Sequence, residues 1–461
     1  MAIATEITRL QAAKSGIKAA IAGKGVTVPD AATIDAYAQY IDSIPSGGQE
    51  QATAEIDDVT YIDYDGTVVA TYSASEFAEL ASHPANPDRT TEGLTAQGWN
   101  WSLADAKAYV AKYGSLCIGQ SYITTDGATR IKIDTRLAPK LFTQEFNINI
   151  IQSVSQGVLI DWGDGSSERV DGINVLTVPH TYAKEGVYTI SLLPDENCTL
   201  QPTNNSGSRS LFGYTNASPE AIARCSAITE MHIGKNVTIA TVQSYGGVIK
   251  ISIPEGVTQL YGANNAYDLE AIVLPSGCRT VVNTFGQCSS LRFISFPSVI
   301  NQTGFSMVGC RCVRMLTFPE GVTTIGSADW NGLERVALPD TLTTFEANSA
   351  MYMQFITKLV IPEGVTSIGN SSFQRSALRE LDLPSTITTL GNSVAAQPYE
   401  KWLERIIIRA VTPPTITSSS LSSTNNCPIY VPDDSVDAYK AASNWSALAS
   451  RIKPLSEFVE A

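Results

Sequence analysis

The C-terminal half of the chain is a repeat of about 22 residues, and this constrains the fold more than any other feature. Each copy is an apolar run ending at a proline, then a Gly or Thr turn, then Val or Ile. The copies read SIPEGVTQL at Pro254, VLPSGCRTV at Pro275, SFPSVI at Pro297 and TFPEGVTTIG at Pro319. ALPDTLTTF at Pro339, VIPEGVTSIG at Pro362 and DLPSTITTLG at Pro384 complete the run. Successive prolines lie 21, 22, 22, 20, 23 and 22 residues apart. An eighth copy, HIGKNVTIA, has Gly234 where the proline is expected. One such unit cannot bury its own apolar face, so it must stack on its neighbours, which predicts a solenoid. A solenoid more often offers a long surface to a partner than it encloses a catalytic pocket.

The chain has 461 residues, which predicts two to four domains. Its net charge of −14 argues against nucleic acid or an anionic membrane as partner. Part of that excess is local: between residues 50 and 88 stand nine acids and no Lys or Arg, which reads as the solvated face of a small domain. The eight cysteines are scattered, without CxxC spacing, and Cys310 and Cys312 form an isolated CxC. Several fall at apolar repeat positions, so they read as buried free thiols in a reducing cytoplasm. The N-terminus has no signal-peptide pattern, and no apolar stretch is long enough to span a membrane. The expectation is a chain neither secreted by a general route nor inserted in a membrane.

Residues 1–48 predict a helical docking or coiled-coil segment. Ile3, Ile7, Leu10, Lys14, Ile17 and Ile21 recur at spacings of 4, 3, 4, 3 and 4, an a/d seam with one polar position. Gly23-Lys24-Gly25 breaks it, and Ile34, Tyr37, Ile41 and Ile44 form a second seam. Such a short segment with an exposed seam is expected to associate with sister chains or a larger assembly in preference to folding back as an intrachain hairpin. Residues 49–138 predict a small α/β domain. Val59–Tyr64, Asp65-Gly66 and Thr67–Tyr72 read as a hairpin, followed by helices over 75–81 and 103–113, the second capped by Ser102. Ile118–Ile123 and Thr129–Ile133 around Asp126-Gly127 read as another hairpin. Trp99 and Trp101 are candidates for stacking on a sugar ring, although core and rim of a small domain is the simpler reading.

Residues 139–200 predict a β-sandwich, with strands over 146–151, 157–162 and 186–192. The order WGDG at 162–165, HTY at 180–182 and GVYTISL at 186–192 resembles a polycystic-kidney-disease (PKD) domain, an immunoglobulin-like module of surface proteins, over about fifty residues. Asp161 and Asp164 are candidate Ca²⁺ ligands, and a turn role for Asp-Gly is favoured over that. His180 reads as a structural residue, since no nucleophile is spaced to use it.

After a polar linker at 201–227, residues 228–426 resemble the leucine-rich repeats of the BspA type, found in bacterial surface proteins and in phages of those bacteria. In LRELDLP at 378–384 the alternating apolar residues point inward and the proline stops the strand, because it cannot donate to a ladder. Residues 427–461 predict the end cap, with Val436, Tyr439, Ala442, Trp445, Leu448 and Ile452 on one helical face; the segment resembles the C-terminal end of BspA-type proteins. The whole is a multi-domain, mostly β chain.

No P-loop, GxSxG, HExxH or GxGxxG is present, and His83, His180 and His232 lie in different segments. Glu255, Glu320 and Glu363 hold the same turn position, so a structural role is expected. The reading is therefore not an enzyme, with no catalytic, cofactor or metal residues. Residues 7–44 and the passage LTAQGWNWSLADAKAYVAKYGSLCIGQSYITTDG resemble fibre proteins of phages that infect gut bacteria. That resemblance implies a virion-surface protein, commonly a homotrimer, docked through residues 1–45 on capsid or tail. It would meet a host-surface glycan or protein with its repeats. A bacterial BspA-type adhesin and a virion-borne glycan depolymerase are the alternatives. Rows of Thr, Ser and Asn beside each proline suggest a polar face for weak multivalent contact.

Overall fold

The chain divides into two compact units, Met1–Ile56 and Asp57–Ala461. The computed structural model describes residues 58–137, 145–201, 211, 225–241, 246–261, 263–282, 285–301, 305–396, 403–424 and 426–459. All lie in the second unit. The expected helical segment at 1–48 and most of the linker at 201–227 fall outside the described residues.

The α/β module comprises β1 (Val59–Ile62), β2 (Val68–Tyr72), α1 (Ala74–Glu79), β3 (Leu94–Trp99), α2 (Leu103–Tyr113) and β4 (Leu116–Thr124). The sheet order is β2-β1-β4-β3, with β1 parallel to β4 and the other pairs antiparallel. Local chemistry sets the boundaries. Gly66 takes a left-handed φ of 85° in the β1–β2 turn. Ser73 and Glu76 form a reciprocal capping box that starts α1. Ser102 caps α2 through the Asp105 amide, and Gly114 ends it at φ 82°.

The expected hairpin over 118–133 is not formed. β4 pairs only with β1 and β3, whereas the next strand, β5 (Thr129–Asp134), crosses into the sandwich and pairs there. The Asp-Gly signal was real, since Gly127 sits at φ 79°, but the turn joins two sheets rather than two neighbouring strands. The sandwich adds β6 (Ile148–Gln152), β7 (Val158–Asp161), β8 (Ser167–Val170), β9 (Asn174–Val178), β10 (Val187–Pro194) and β11 (Leu200–Gln201). One sheet has the order β11-β6-β9. The other runs β5-β10-β7-β8 and extends beyond β5 through the Ile228–His232 and Lys250–Ser252 strands of the first coils. Ile148 and Ile150 of one sheet share a core with Ile160, Ile190 and Leu192 of the other.

The repeats form a solenoid with two rows of parallel strands. In the first row, before each proline position, stand Lys250–Ser252, Ala271–Val273, Phe293–Ser295, Met315–Thr317, Arg335–Ala337, Lys358–Val360, Glu380–Leu383 and Arg405–Ile408. In the second row, after it, run strands from Ile239–Thr241 to Thr389–Leu390. The middle residues Ile251, Ile272, Ile294, Leu316, Leu359, Leu381 and Ile406 are buried in one continuous core. Burying each such side chain contributes roughly 1.5–3 kcal/mol.

Gly234 now has a reason. It stands where the β4–β5 turn crosses the first coil: a Cβ there would meet the Gly127 carbonyl oxygen at 2.2 Å. Its amide also donates to Thr129 Oγ1 at 3.0 Å, which a proline has no N–H to do.

At the other end, Ile429–Val431 and Ile452–Pro454 continue the first row. The expected single cap helix is shorter than its apolar periodicity suggests. A helix, α3, covers Val436–Ala441, Asn444 turns at φ 65°, and a 3₁₀ turn follows over Ser446–Arg451. Tyr439, Trp445 and Ile452 are nonetheless buried. The break lets Tyr439 Oη reach the Ala410 carbonyl and Trp445 Nε1 the Pro414 carbonyl, each at 2.8 Å.

Candidate functional site: the first strand row and its cover

In each first-row strand the two residues flanking the inward one point away from the solenoid core. They read Lys250/Ser252, Ala271/Val273, Phe293/Ser295, Met315/Thr317 and Arg335/Ala337, then Lys358/Val360, Glu380/Asp382 and Arg405/Ile407. The first five pairs are largely small or apolar, and the α/β module lies across them. β4 is buried along nearly its whole length, with helices on one face and the solenoid on the other. Gly119 allows the approach: a Cβ there would lie 2.5 Å from the Val273 methyl groups.

Asn100 makes the closest polar join. Its Nδ2 donates to the Leu274 carbonyl at 2.8 Å and to Ser295 Oγ at 3.0 Å. Its Oδ1 accepts from the Gly119 amide at 3.0 Å. Trp101 Nε1 and Tyr109 Oη each donate to a solenoid carbonyl, of Phe296 and Phe318, at 2.7 Å. Tyr113 Oη donates to Glu320, Lys112 pairs with Asp340 at 2.6 Å, and Arg335 pairs with Asp58 at 2.7 Å. Trp101, Tyr109 and Ala337 share one apolar cluster, so the join is a packed core rather than a polar touch.

Where the module meets the first coils, charge gathers. Arg89 is held by Asp63 at 2.8 Å, Asp65 at 3.1 Å and Glu92 at 2.7 Å, and Lys250 of the solenoid lies 3.6 Å from Asp65. Burial pushes the Asp65 carboxyl up, but hydrogen bonds from Thr67 and the charges of Arg89 and Lys250 hold it below the usual range. Burial likewise opposes, and Tyr64 and Arg89 outweigh it, at Glu92. Next to this belt, His232 and then Lys132 hold the Glu230 carboxyl down to about 2. His232 Nδ1 faces Ser252 Oγ at 3.0 Å.

The polar residues beside each proline are largely occupied in stitching one coil to the next. Thr258, Thr343 and Thr388 hydroxyls donate to the carbonyls of Thr238, Thr323 and Thr366 at 3.2, 3.0 and 2.9 Å. Glu255 accepts from the Ser276 amide at 3.1 Å, and Glu363 accepts from the Ser385 amide at 3.1 Å and hydroxyl at 2.8 Å. Glu320, at the same turn position, turns to Tyr113 and Lys112 of the module instead. The three glutamates are thus dispersed along the solenoid and engaged in the fold.

The remaining candidates fall as follows. Trp101 is buried under the solenoid and has no face for a sugar. Trp99 is half-buried, packs edge-on to Tyr61 at 4.8 Å and donates to the Pro84 carbonyl at 3.0 Å. Asp161 Oδ1 accepts from the Gly163 amide at 2.8 Å; Asp164 accepts from Ser166 and faces His180 Nε2 at 2.9 Å. His180 stacks on Trp162 with ring centroids 4.4 Å apart. Both carboxylates are engaged in turn geometry, and among the described residues no group of three or more His, Cys, Asp or Glu is arranged to hold a metal. Seven cysteines are buried free thiols and Cys312 is exposed. No helix among the described residues is long and apolar enough to cross a membrane. His83 Nδ1 lies 2.8 Å from Tyr61 Oη, whereas His180 packs on Trp162 and His232 on Tyr64.

The module's seat was missed by sequence reasoning, although a signal existed. The outward residues of the first row change from Val273, Ser295, Thr317 and Ala337 to Val360, Asp382 and Ile407; under the module charge stands only at its two edge strands, Lys250 and Arg335, whereas beyond it Lys358, Glu380 and Asp382 follow one another.

Residues 215–330 and 305–400 match the model of the BspA type leucine rich repeat region, in six copies. No curated protein matches the chain. Among solved structures, a leucine-rich repeat protein from Bacteroides ovatus ATCC 8483 is 18% identical, with a TM-score of 0.29, covering 44% of this chain and 66% of that one. The pneumococcal vaccine antigen PcpA is 12% identical, with a TM-score of 0.23, covering 48% of this chain and 76% of that one. A leucine rich cell surface protein from Faecalibacterium prausnitzii A2-165 is 16% identical, with a TM-score of 0.21, covering 48% and 87%.

Proposed function

We propose, from a solenoid built of BspA-type leucine-rich repeats, that the chain is a non-catalytic attachment protein that presents its coils to a partner on a cell surface. The observation that carries this is the repeat array itself: a stack of coils with one core, stitched at its turns and closed by a cap, offers surface rather than a pocket. Two carriers fit. The resemblance of residues 7–44 and of the passage LTAQGWNWSLADAKAYVAKYGSLCIGQSYITTDG to phage fibre proteins supports a virion fibre, trimeric, docked on capsid or tail through residues 1–45, with a PKD-like sandwich between anchor and repeats. The repeat type supports a bacterial cell-surface adhesin at least as well.

The test is binding of the purified protein, with and without residues 1–45, to intact gut bacteria and to phage particles lacking it. Docking on particles that is lost on truncation supports the fibre. Cell binding without particle binding supports the adhesin. Binding to neither surface overturns attachment, and release of sugar from host capsule would reopen the depolymerase reading.

A further inference from the structure

We infer that the stretch of the first strand row around exposed Val360, with the cations that lie over Glu380 and Asp382 and bare of the module among the described residues, is the docking site for an acidic protein segment. This deepens the attachment reading and rests on it.

The stretch is bounded on both sides. Toward the N-terminus the module's last contacts are Asp58 with Arg335 and Lys112 with Asp340. Toward the C-terminus Phe458 lies on Tyr430, with ring centroids 5.4 Å apart, and under the Arg405 guanidinium, also at 5.4 Å. Lys358–Val360, Glu380–Leu383 and Arg405–Ile408 pair in that order at about 4.8 Å per step, so they span roughly 10 Å, in a sheet separate from the one that holds Arg335–Ala337. That admits one extended segment.

The floor differs from the rest of the row. Val360 is 53% exposed, whereas Val273 and Ala337, its counterparts under the module, are 3% and 2% exposed. Glu380 and Asp382 keep only 4% and 6% of their side chains in contact with solvent. They lie beneath cations: Lys358 at 3.0 Å and Arg405 at 2.6 Å on Glu380, and Arg409 at 2.7 Å on Asp382. Solvent therefore meets ammonium and guanidinium groups over hidden carboxylates, in a chain whose net charge is −14. An approaching anion is favoured by the exposed layer, and the buried carboxylates hold that layer in place.

The same row already shows the mode of recognition. A folded protein module sits on it, and at its edge the Asp58 carboxylate takes the Arg335 guanidinium at 2.7 Å. Lys358 is the next cation in that register. The occupant is thus a protein segment that continues the module's interface, with an apolar side chain on Val360 and carboxylates on Lys358 and Arg409.

The experiment uses the full chain and a fluorescein-labelled poly-L-glutamate of about 15 residues, titrated by fluorescence anisotropy at low salt, about 50 mM. Two variants are compared, Val360→Glu and Lys358→Gln. Val360 is exposed, so Val360→Glu keeps the fold and adds a like charge to the floor; an unchanged melting curve checks this, and Lys358→Gln stands in if it is altered. The expected result is saturable binding that is weakened roughly tenfold by either variant and by about 500 mM salt. Absent binding, or binding equal in wild type and variants, overturns the inference. So does heparin competing at equal affinity through the same residues, which would make the partner a sulfated glycan. Failure of the two readings is separable. If wild type and Val360→Glu bind cells alike, the docking inference falls and attachment stands. If no surface is bound while poly-L-glutamate binding is lost in Val360→Glu, attachment falls and the docking site stands.

Discussion

The covered and uncovered halves of the first strand row share one backbone geometry and one inward-facing core, and differ in what points outward. Under the module stand Val273, Ser295, Thr317 and Ala337; beyond it stand Val360, Asp382 and Ile407, with Lys358, Glu380 and Arg405 beside them. At this strand position Val273, Ser295, Thr317 and Ala337 are buried beside the module and Val360 is exposed, whereas Asp382 and Ile407 are buried by other neighbours. A repeat sequence therefore carries two codes: the inward residues specify the coil, and the outward ones specify its neighbour. This divides the row into a part committed to the module and a part, around Val360, that the proposed partner would meet.

The sharpest way to break that comparison is to remove the module's deepest anchor. Trp101→Ala deletes a buried ring and its bond to the Phe296 carbonyl, and is expected to cost about 3–5 kcal/mol in denaturant unfolding. The same change at half-buried Trp99 should cost less. A matched pair comes next. Ala337→Lys places an ammonium in the covered interface and should cost about 2 kcal/mol or more, whereas Val360→Lys at the same register should stay within about 0.5 kcal/mol. Equal effects would show that the two halves are not different environments.

Gly119→Ala tests close approach alone. Its Cβ would press on the Val273 side chain, at a cost of about 1–3 kcal/mol, relieved in part by Val273→Ala. Acid probes the belt. Asp65, Glu92 and Glu230 have carboxyls depressed in the folded state, so their stabilisation is full above the unfolded value near 4 and is lost as pH falls through the folded values. Thermal midpoints should be flat from about pH 7 to 5 and fall below about pH 4. Glu230→Gln should remove about 1 kcal/mol of that fall, its charge being partly exposed and screened. The smallest expected effect is Thr388→Val, which removes one inter-coil stitch near the solvent and should cost about 0.5–1 kcal/mol.

Much of this architecture was legible in the sequence because its signals are local. Proline spacing gave the coils; Ser102 gave the start of the module's second helix; Asp65-Gly66 gave the β1–β2 turn. What failed was non-local. Asp126-Gly127 looks like any hairpin turn, and only the partners of β4 and β5 show that it joins separate sheets. Asn100 and Trp101 carry no mark of the carbonyls they meet, since those lie 174 and 195 residues away. The cap's 3.6-residue periodicity continues past Ala441, where extended Ala442 ends the helix and left-handed Asn444 then turns the chain. Gly234 was visible as a departure from the repeat, but its cause, the Gly127 carbonyl, was not.

The seating of the module also dictates where this protein can change length over evolution. Repeat arrays grow and shrink by duplicating or losing whole coils. A coil inserted between Pro275 and Pro319 would slide part of the row by about 4.8 Å and draw Asn100, Trp101 or Tyr109 off its carbonyl partner. A coil inserted between Pro362 and Pro384 disturbs neither the module's seat nor the Tyr439 and Trp445 closure. Duplication is thus tolerated only where the strands are bare, so descendants of this gene should vary in reach while keeping an invariant base.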